Sequence, residues 1–261
     1  MKLRVVTATQ GKSPFLGETL SSIDEAQPEA EHVIVCPAAR VASIAAGARA
    51  TVLPETGTGL YAALNQGCRA PGEWEVQTSL NDDDRLLSPG FGHLLEALAR
   101  RPEIDVAYGR VRLMGARGEN LGAQPVARRT GDLGALLARG IVPLAQPGMV
   151  IRRGLVERLG GFDETYRLAG DLDFFVRALV AGARFLFVDA WVAGFRLHAG
   201  QLSKQSAEIE AEKVRALQPL AGQAGRAAAL WRFRLDNAGV YYERIRRHGW
   251  VSMRELYDRT E

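Results

Sequence analysis

Glu75-Val76-Gln77-Thr78-Ser79-Leu80-Asn81-Asp82-Asp83-Asp84 is the stretch whose reading decides the fold. Residues 75–80, with Val76, Thr78 and Leu80 among them, read as a buried strand, and the chain turns acidic where that strand ends. Three adjacent carboxylates repel one another, and the usual compensation is a divalent cation held by oxygen ligands. A solvated acidic turn capping a helix that starts near Ser88-Pro89 is the bland alternative, and the run alone does not choose between them. Open α/β sheets bind ligands at the carboxyl ends of their strands, so the context of the run settles its meaning.

Upstream, apolar β-type runs at residues 3–9, 32–36 and 50–53 alternate with helical patterns at 15–26, 41–47 and 58–69. This alternation predicts a mostly parallel, Rossmann-like α/β sheet with helices on both faces. Ser13-Pro14 opens the first helix, with Ser as cap and Pro in the first turn. Downstream the rhythm changes. One or two strands are expected over 105–114, a turn at 115–118, and a helix over 131–139. A strand at 148–152, helices at 153–159 and 171–181, and strands at 184–188 and 191–197 follow, so this edge of the sheet is expected to be mixed. From residue 204 the pattern is two helices broken around 219–225, then a basic, aromatic segment over 231–250. The expected organisation is a catalytic domain over 1–203 with a helical C-terminal extension over 204–261.

At 261 residues the chain can bury one large core, and 47% hydrophobic with 24% charged residues is ordinary for a globular protein. The net charge of +3 comes with no Lys/Arg block and no aromatic-basic alternation, so nucleic acid is not an expected partner. Cys36 and Cys68 offer neither metal spacing nor a disulfide framework, which makes a reducing, cytoplasmic setting the expectation. The N-terminus has no apolar signal core, and no run reaches the ~18–20 apolar residues of a spanning helix.

Three further blocks carry chemistry. In Glu55-Thr56-Gly57-Thr58-Gly59-Leu60-Tyr61, glycines before a helix leave backbone N–H groups free to approach an anion. In Gly160-Gly161-Phe162-Asp163-Glu164 and Ala169-Gly170-Asp171-Leu172-Asp173, Asp171 falls at a helix start, where the dipole favours an ionised carboxylate. Such a group is either a general base at a cleft or a plain N-cap. Finally, His198 follows a strand in Phe195-Arg196-Leu197-His198, as a metal or phosphate contact or a satisfied surface histidine.

In this order the blocks resemble the inverting family 2 glycosyltransferases of the glycosyltransferase A fold. The resemblance rests on Thr7-Ala8-Thr9, Gly59-Leu60-Tyr61 through Asn65-Gln66-Gly67, Ala70-Pro71-Gly72-Glu73, Leu80 to Asp84, Gln146-Pro147 with Arg152-Arg153, Gly160 to Glu164, Asp171-Leu172-Asp173 and Arg196-Leu197-His198. It spans about residues 3–203, and it implies a nucleotide-sugar-binding half over about 1–100 and an acceptor-side half over about 101–203. It implies a nucleotide-diphosphate sugar donor and a saccharide, lipid-linked or small-molecule acceptor. It further implies Mn²⁺ or Mg²⁺ held by Asp83, Asp84 and His198, and Asp171 as the base that deprotonates the acceptor. Thr7, Thr9, Gly59, Tyr61, Asn65, Asn81 and Asp82 are then expected around the nucleotide-sugar, and Gln146 toward the acceptor.

The chain departs from that pattern at the end of the second strand, where Val35-Cys36-Pro37 carries no acid, and at Gly57 and Ala62, where Asp is common. A non-catalytic nucleotide-sugar binder or assembly subunit is therefore the competing expectation. A sugar nucleotidyltransferase is disfavoured, because Gln10-Gly11-Lys12 is too sparse a triphosphate loop. The segment 231–250 has three readings: contact with the inner face of an anionic membrane, a homodimer interface, or packing on the core.

Overall fold

A computed structural model describes residues 1–201, 206–222, 227–250 and 255. The expected boundary between catalytic domain and extension at 203/204 lies outside the described residues. The first half contains β1 (Leu3–Ala8), α1 (Leu16–Ala26), β2 (Glu31–Cys36), α2 (Val41–Ala45), β3 (Thr51–Pro54), α3 (Leu60–Arg69), β4 (Val76–Ser79), β5 (Arg85–Leu86) and α4 (Gly90–Arg100). The second contains β6 (Val106–Met114), β7 (Asn120–Ala123), α5 (Leu133–Leu137), β8 (Met149–Arg152), α6 (Arg153–Leu159), α7 (Gly170–Val180) and β9 (Phe185–Arg196). The C-terminal extension forms α8 (Ser206–Leu217), α9 (Ala227–Asp236) and α10 (Ala238–His248).

Among the described residues the strands form one sheet in the order β3-β2-β1-β4-β8-β6-β9-β5, with β7 paired to β6. The β3-β2-β1-β4 half is parallel, as its β–α alternation predicts. Beyond it β8 runs antiparallel to both β4 and β6, which is the mixed edge expected downstream. Residues 184–197 form a single strand where two were expected. β9 follows β6 in parallel through register shifts near Arg110, so the polar break at Asp189 is absorbed as an irregularity rather than a turn.

Alternation along β1 divides the core. Leu3 and Val5 face α1 and α4 with Ile23, Phe91, Leu94 and Leu98, whereas Val6 faces Tyr61, Leu64, Phe162 and Phe174 on the other side. Gly67 lets α3 lie close on β1, since a Cβ there would meet Val6 Cγ1 at 2.4 Å. The second core also takes in Ala216 of α8, Leu220 just after it, and Phe233 of α9, so these helices share the interior of the sheet-bearing part. Asn237 seals that junction by donating to Val126 O at 2.9 Å and accepting from Val126 N at 3.0 Å. Among the described residues no helix is long and apolar enough to cross a membrane.

Candidate active site

The acidic run leaves the carboxyl end of β4, and its three carboxylates find three different partners. Asp82 takes a hydrogen bond from the Thr9 hydroxyl, while Ser13 Oγ donates to the Asp82 carbonyl at 2.9 Å. Ser13 accepts from Phe15 N at 3.2 Å, so the residue expected to cap the first helix ties that turn to the acidic loop. Burial pushes the Asp82 carboxyl above its ordinary value, and the Thr9 bond pulls part of it back.

Asp83 Oδ2 lies 2.9 Å from His198 Nε2, just past the end of β9, and both side chains keep some exposed surface. The His198 ring rests against Phe15, centroids 5.1 Å apart. Asp84 is fully buried: its Oδ1 accepts from Arg196 N at 2.9 Å and its Oδ2 from Asn81 Nδ2 at 3.4 Å. Burial, with the neighbouring Asp83 charge second, holds its carboxyl well above the usual range.

The expected trio Asp83, Asp84 and His198 is therefore corrected to a pair. No group of three or more His, Cys, Asp or Glu side chains converges to hold a metal among the described residues, because the partners of Asp84 draw it inward. The chemistry of the remaining carboxylate–imidazole pair fits a divalent cation of the Mn²⁺ type, which Asp83 and His198 would hold.

The Asp171 side of the candidate site is built where α7 meets α3. Ala169 is the N-cap of α7, so Asp171 is not the cap but sits in the first turn, its Oδ1 accepting from Leu172 N at 2.8 Å. Tyr61, in the first turn of α3, directs its hydroxyl at the same oxygen from 3.4 Å. Gly170 makes this approach possible, since a Cβ there would stand 2.7 Å from the Tyr61 ring. Burial raises the Asp171 carboxyl above its ordinary value, against the lowering effect of the Leu172 N–H. Gly59, just before α3, has φ +94°, a conformation that L side chains rarely adopt, and nothing crowds it.

Two expected ligand contacts have other roles. Asn65 is buried, donates to Phe162 O and Glu164 Oε1 at 2.8 Å each, and accepts from Phe162 N at 2.8 Å. Those bonds clamp α3 to the loop before α7 and leave the amide committed. Gly161, with φ +83°, is required here because a Cβ would fall 2.4 Å from Asn65 Oδ1. Thr7 is fully buried and meets His32 Nε2 at 3.1 Å, bracing β1 to β2 with no surface offered to a ligand. Gln146, in a short turn before β8, has a buried side-chain nitrogen without a protein partner.

Arg196 is the organising residue that sequence reasoning quoted but did not single out. Fully buried, it donates from Nε to Asp83 O at 2.9 Å, from Nη1 to Ala116 O at 3.1 Å and from Nη2 to Glu18 Oε2 at 2.7 Å. Its guanidinium lies 4.3 Å from the Phe15 ring centroid. An arginine at the end of an apolar strand was the available signal. Glu55 was missed as well: its N–H donates to Cys36 O at 2.8 Å, which sets a carboxylate beside the acid-free end of β2.

The strand order and the acidic loop at the end of β4 define the glycosyltransferase A fold, and comparison with solved structures agrees. TarS 1-349 of S. aureus in complex with UDP-GlcNAc superposes with TM-score 0.65 at 16% identity, over 98% of this chain and 78% of that one. The mannosyltransferase PcManGT from Pyrobaculum calidifontis, in complex with GDP-Man and Mn²⁺, gives TM-score 0.57 at 18% identity, over 98% and 84%. No protein-family model matches this chain, and no curated protein sequence matches it significantly.

Proposed function

We propose that this protein is a metal-dependent, inverting glycosyltransferase that moves a sugar from a nucleotide-diphosphate donor to an acceptor hydroxyl. The observation that carries the reading is the pairing of Asp83 with His198 at the same sheet edge where Tyr61 meets Asp171. Both groups border the carboxyl ends of β3, β4 and β9, the edge at which such sheets bind ligands. Neighbours of the same fold hold UDP-GlcNAc, UDP or GDP-Man, which supports a nucleotide-sugar donor here without choosing the base.

In this reading Asp83 and His198 hold the Mn²⁺ or Mg²⁺, Asp84 anchors their loop, and Asp82 and Thr9 border the nucleotide. A bound divalent ion supplies Lewis-acid neutralisation of the leaving diphosphate. Asp171 accepts the proton of the attacking hydroxyl, and burial makes it a stronger base than an ordinary carboxylate. One base and no protein nucleophile means one displacement, and so inversion at the anomeric carbon.

The non-catalytic binder keeps one supporting observation, the buried, acid-free Cys36 at the end of β2. On the extension, Phe233 and Ala229 face the core, while Trp231, Tyr242 and Trp250 are exposed and support contact with an anionic membrane or a second copy of the chain.

Calorimetric titration of UDP, GDP and TDP, with and without Mn²⁺, on wild type and Asp83→Ala tests the reading. Mn²⁺-dependent binding of one nucleotide, lost in the variant, is expected. Binding that ignores both metal and substitution would remove Asp83 from the site.

A further inference from the structure

The loop that leads to Asp171 is held by the C-terminal extension. Glu212, half-buried on α8, accepts from the backbone N–H of Arg167 at 2.7 Å through Oε1, and from those of Leu168 and Ala169 at 2.8 Å each through Oε2. These three donors lead directly into α7, whose N-cap, Ala169, has no side chain able to cap it. A carboxylate brought in from another helix therefore holds the turn that leads into α7 and the N–H of its N-cap, with charge-assisted bonds near the positive end of the α7 dipole. Its carboxyl is accordingly below the ordinary value: burial raises it, and the three N–H bonds more than reverse that.

The contact is reinforced on either side. Arg167 donates to both oxygens of Glu208, one turn earlier on α8, at 2.9 and 3.0 Å. One turn later, Arg215 stacks 4.1 Å from the Tyr166 ring centroid and donates to Thr165. Residues 165–169 are thus gripped from three points over about two turns of α8, and Asp171 follows two residues beyond the last grip. Where the chain enters α7 sets the rotation of its first turn, and with it the direction of the Asp171 carboxylate.

We infer that Glu212 is a positioning residue for Asp171: the C-terminal extension, through this one carboxylate, aims the base at the acceptor hydroxyl. The inference rests on the proposed function for its catalytic consequence and on geometry alone for its structural one. A base displaced by ~1 Å loses up to about 100-fold in rate while the donor site across the cleft is untouched.

The test is Glu212→Gln, which keeps the volume but replaces one acceptor oxygen with an amide that repels the backbone N–H groups. A fall in kcat of about 10-fold or more, with donor KM within about 2-fold, is expected. In an Asp171→Asn background the same substitution should cost nothing further, since the group it positions is gone. Glu210→Gln, on the same helix and paired only with Lys213, is the control and should leave kcat unchanged. Equal losses with and without Asp171, or an unchanged kcat, would overturn the inference.

Amide hydrogen exchange provides a readout independent of activity. Protection at Leu168 and Ala169, and at Leu172, whose N–H bonds Asp171 Oδ1, should drop in Glu212→Gln. If the wild type transfers no sugar, the proposed function fails on its own. Unchanged Leu172 protection would separately show that Glu212 does not reach Asp171.

Discussion

Replacing Arg196 with methionine should unhook the acidic loop while leaving the fold standing. The substitution keeps an apolar stem of similar reach under Phe15 but removes every guanidinium donor. Ala116 O, half-buried, loses a bond of 3.1 Å, and the buried carbonyls of Asp83 and Gly115, now bonded at 2.9 and 3.4 Å, lose their partners. An orphaned buried acceptor costs about 1–3 kcal/mol, so the two together cost about 2–6 kcal/mol. The ion pair with half-exposed Glu18 adds only about 0–1 kcal/mol, because that carboxylate returns to water.

A loss near 4 kcal/mol lies below the about 5–15 kcal/mol of a typical domain, so the variant should fold. For a chain of this size it should lower Tm by roughly 8–16 °C. Differential scanning calorimetry measures that shift, and titration with nucleoside diphosphate and Mn²⁺ measures the site. With the Asp83 carbonyl untethered, the Asp83–His198 pair should drift and nucleotide affinity should fall at least tenfold. A Tm within 2 °C of wild type, with affinity retained, would refute the argument that Arg196 organises the loop.

Two further outcomes follow from the same geometry. Because burial raises the Asp171 carboxyl, its protonated form is favoured by folding, and stability falls as pH rises from the unfolded value, about 4, through the higher folded one. Asp171→Asn should therefore melt higher than wild type at pH 8, with the gap closing on acidification toward pH 4. The wild-type kcat should lose its acid limb above the ordinary carboxylate range, and an identical melting profile for the two proteins would contradict this. Asn65→Ala orphans the buried Phe162 N–H and frees the loop before α7, for a cost of about 2–4 kcal/mol by denaturant unfolding. A loss under about 0.5 kcal/mol would mean the clamp is replaced by water.

The parallel half of the fold was legible in the sequence because β1 to β4 are local facts: each strand carries its own apolar run, and each crossover its own helix. The same holds for the glycines. Gly59 and Gly161 stand where the backbone takes positive φ, and glycine is the residue that permits it. Long-range pairing overrode local pattern at β9, where Asp189 interrupts the apolar run but β6 supplies a continuous partner for both halves.

By itself, the sequence determined that three carboxylates would sit together at the carboxyl end of a strand, and that Asp171 would begin a helix. Only the tertiary structure decided what distinguishes the three. Their partners come from remote points of the chain: Thr9 for Asp82, His198 for Asp83, and the backbone of Arg196 for Asp84. Adjacent identical side chains have the same intrinsic chemistry, so their roles are set by which neighbour satisfies each one and how much water each keeps. That turns on where β1 and β9 end in space. The hold of Glu212 on the entry to α7 is of the same kind, one of several carboxylates on α8 that acquires its role only once α8 docks beside α7.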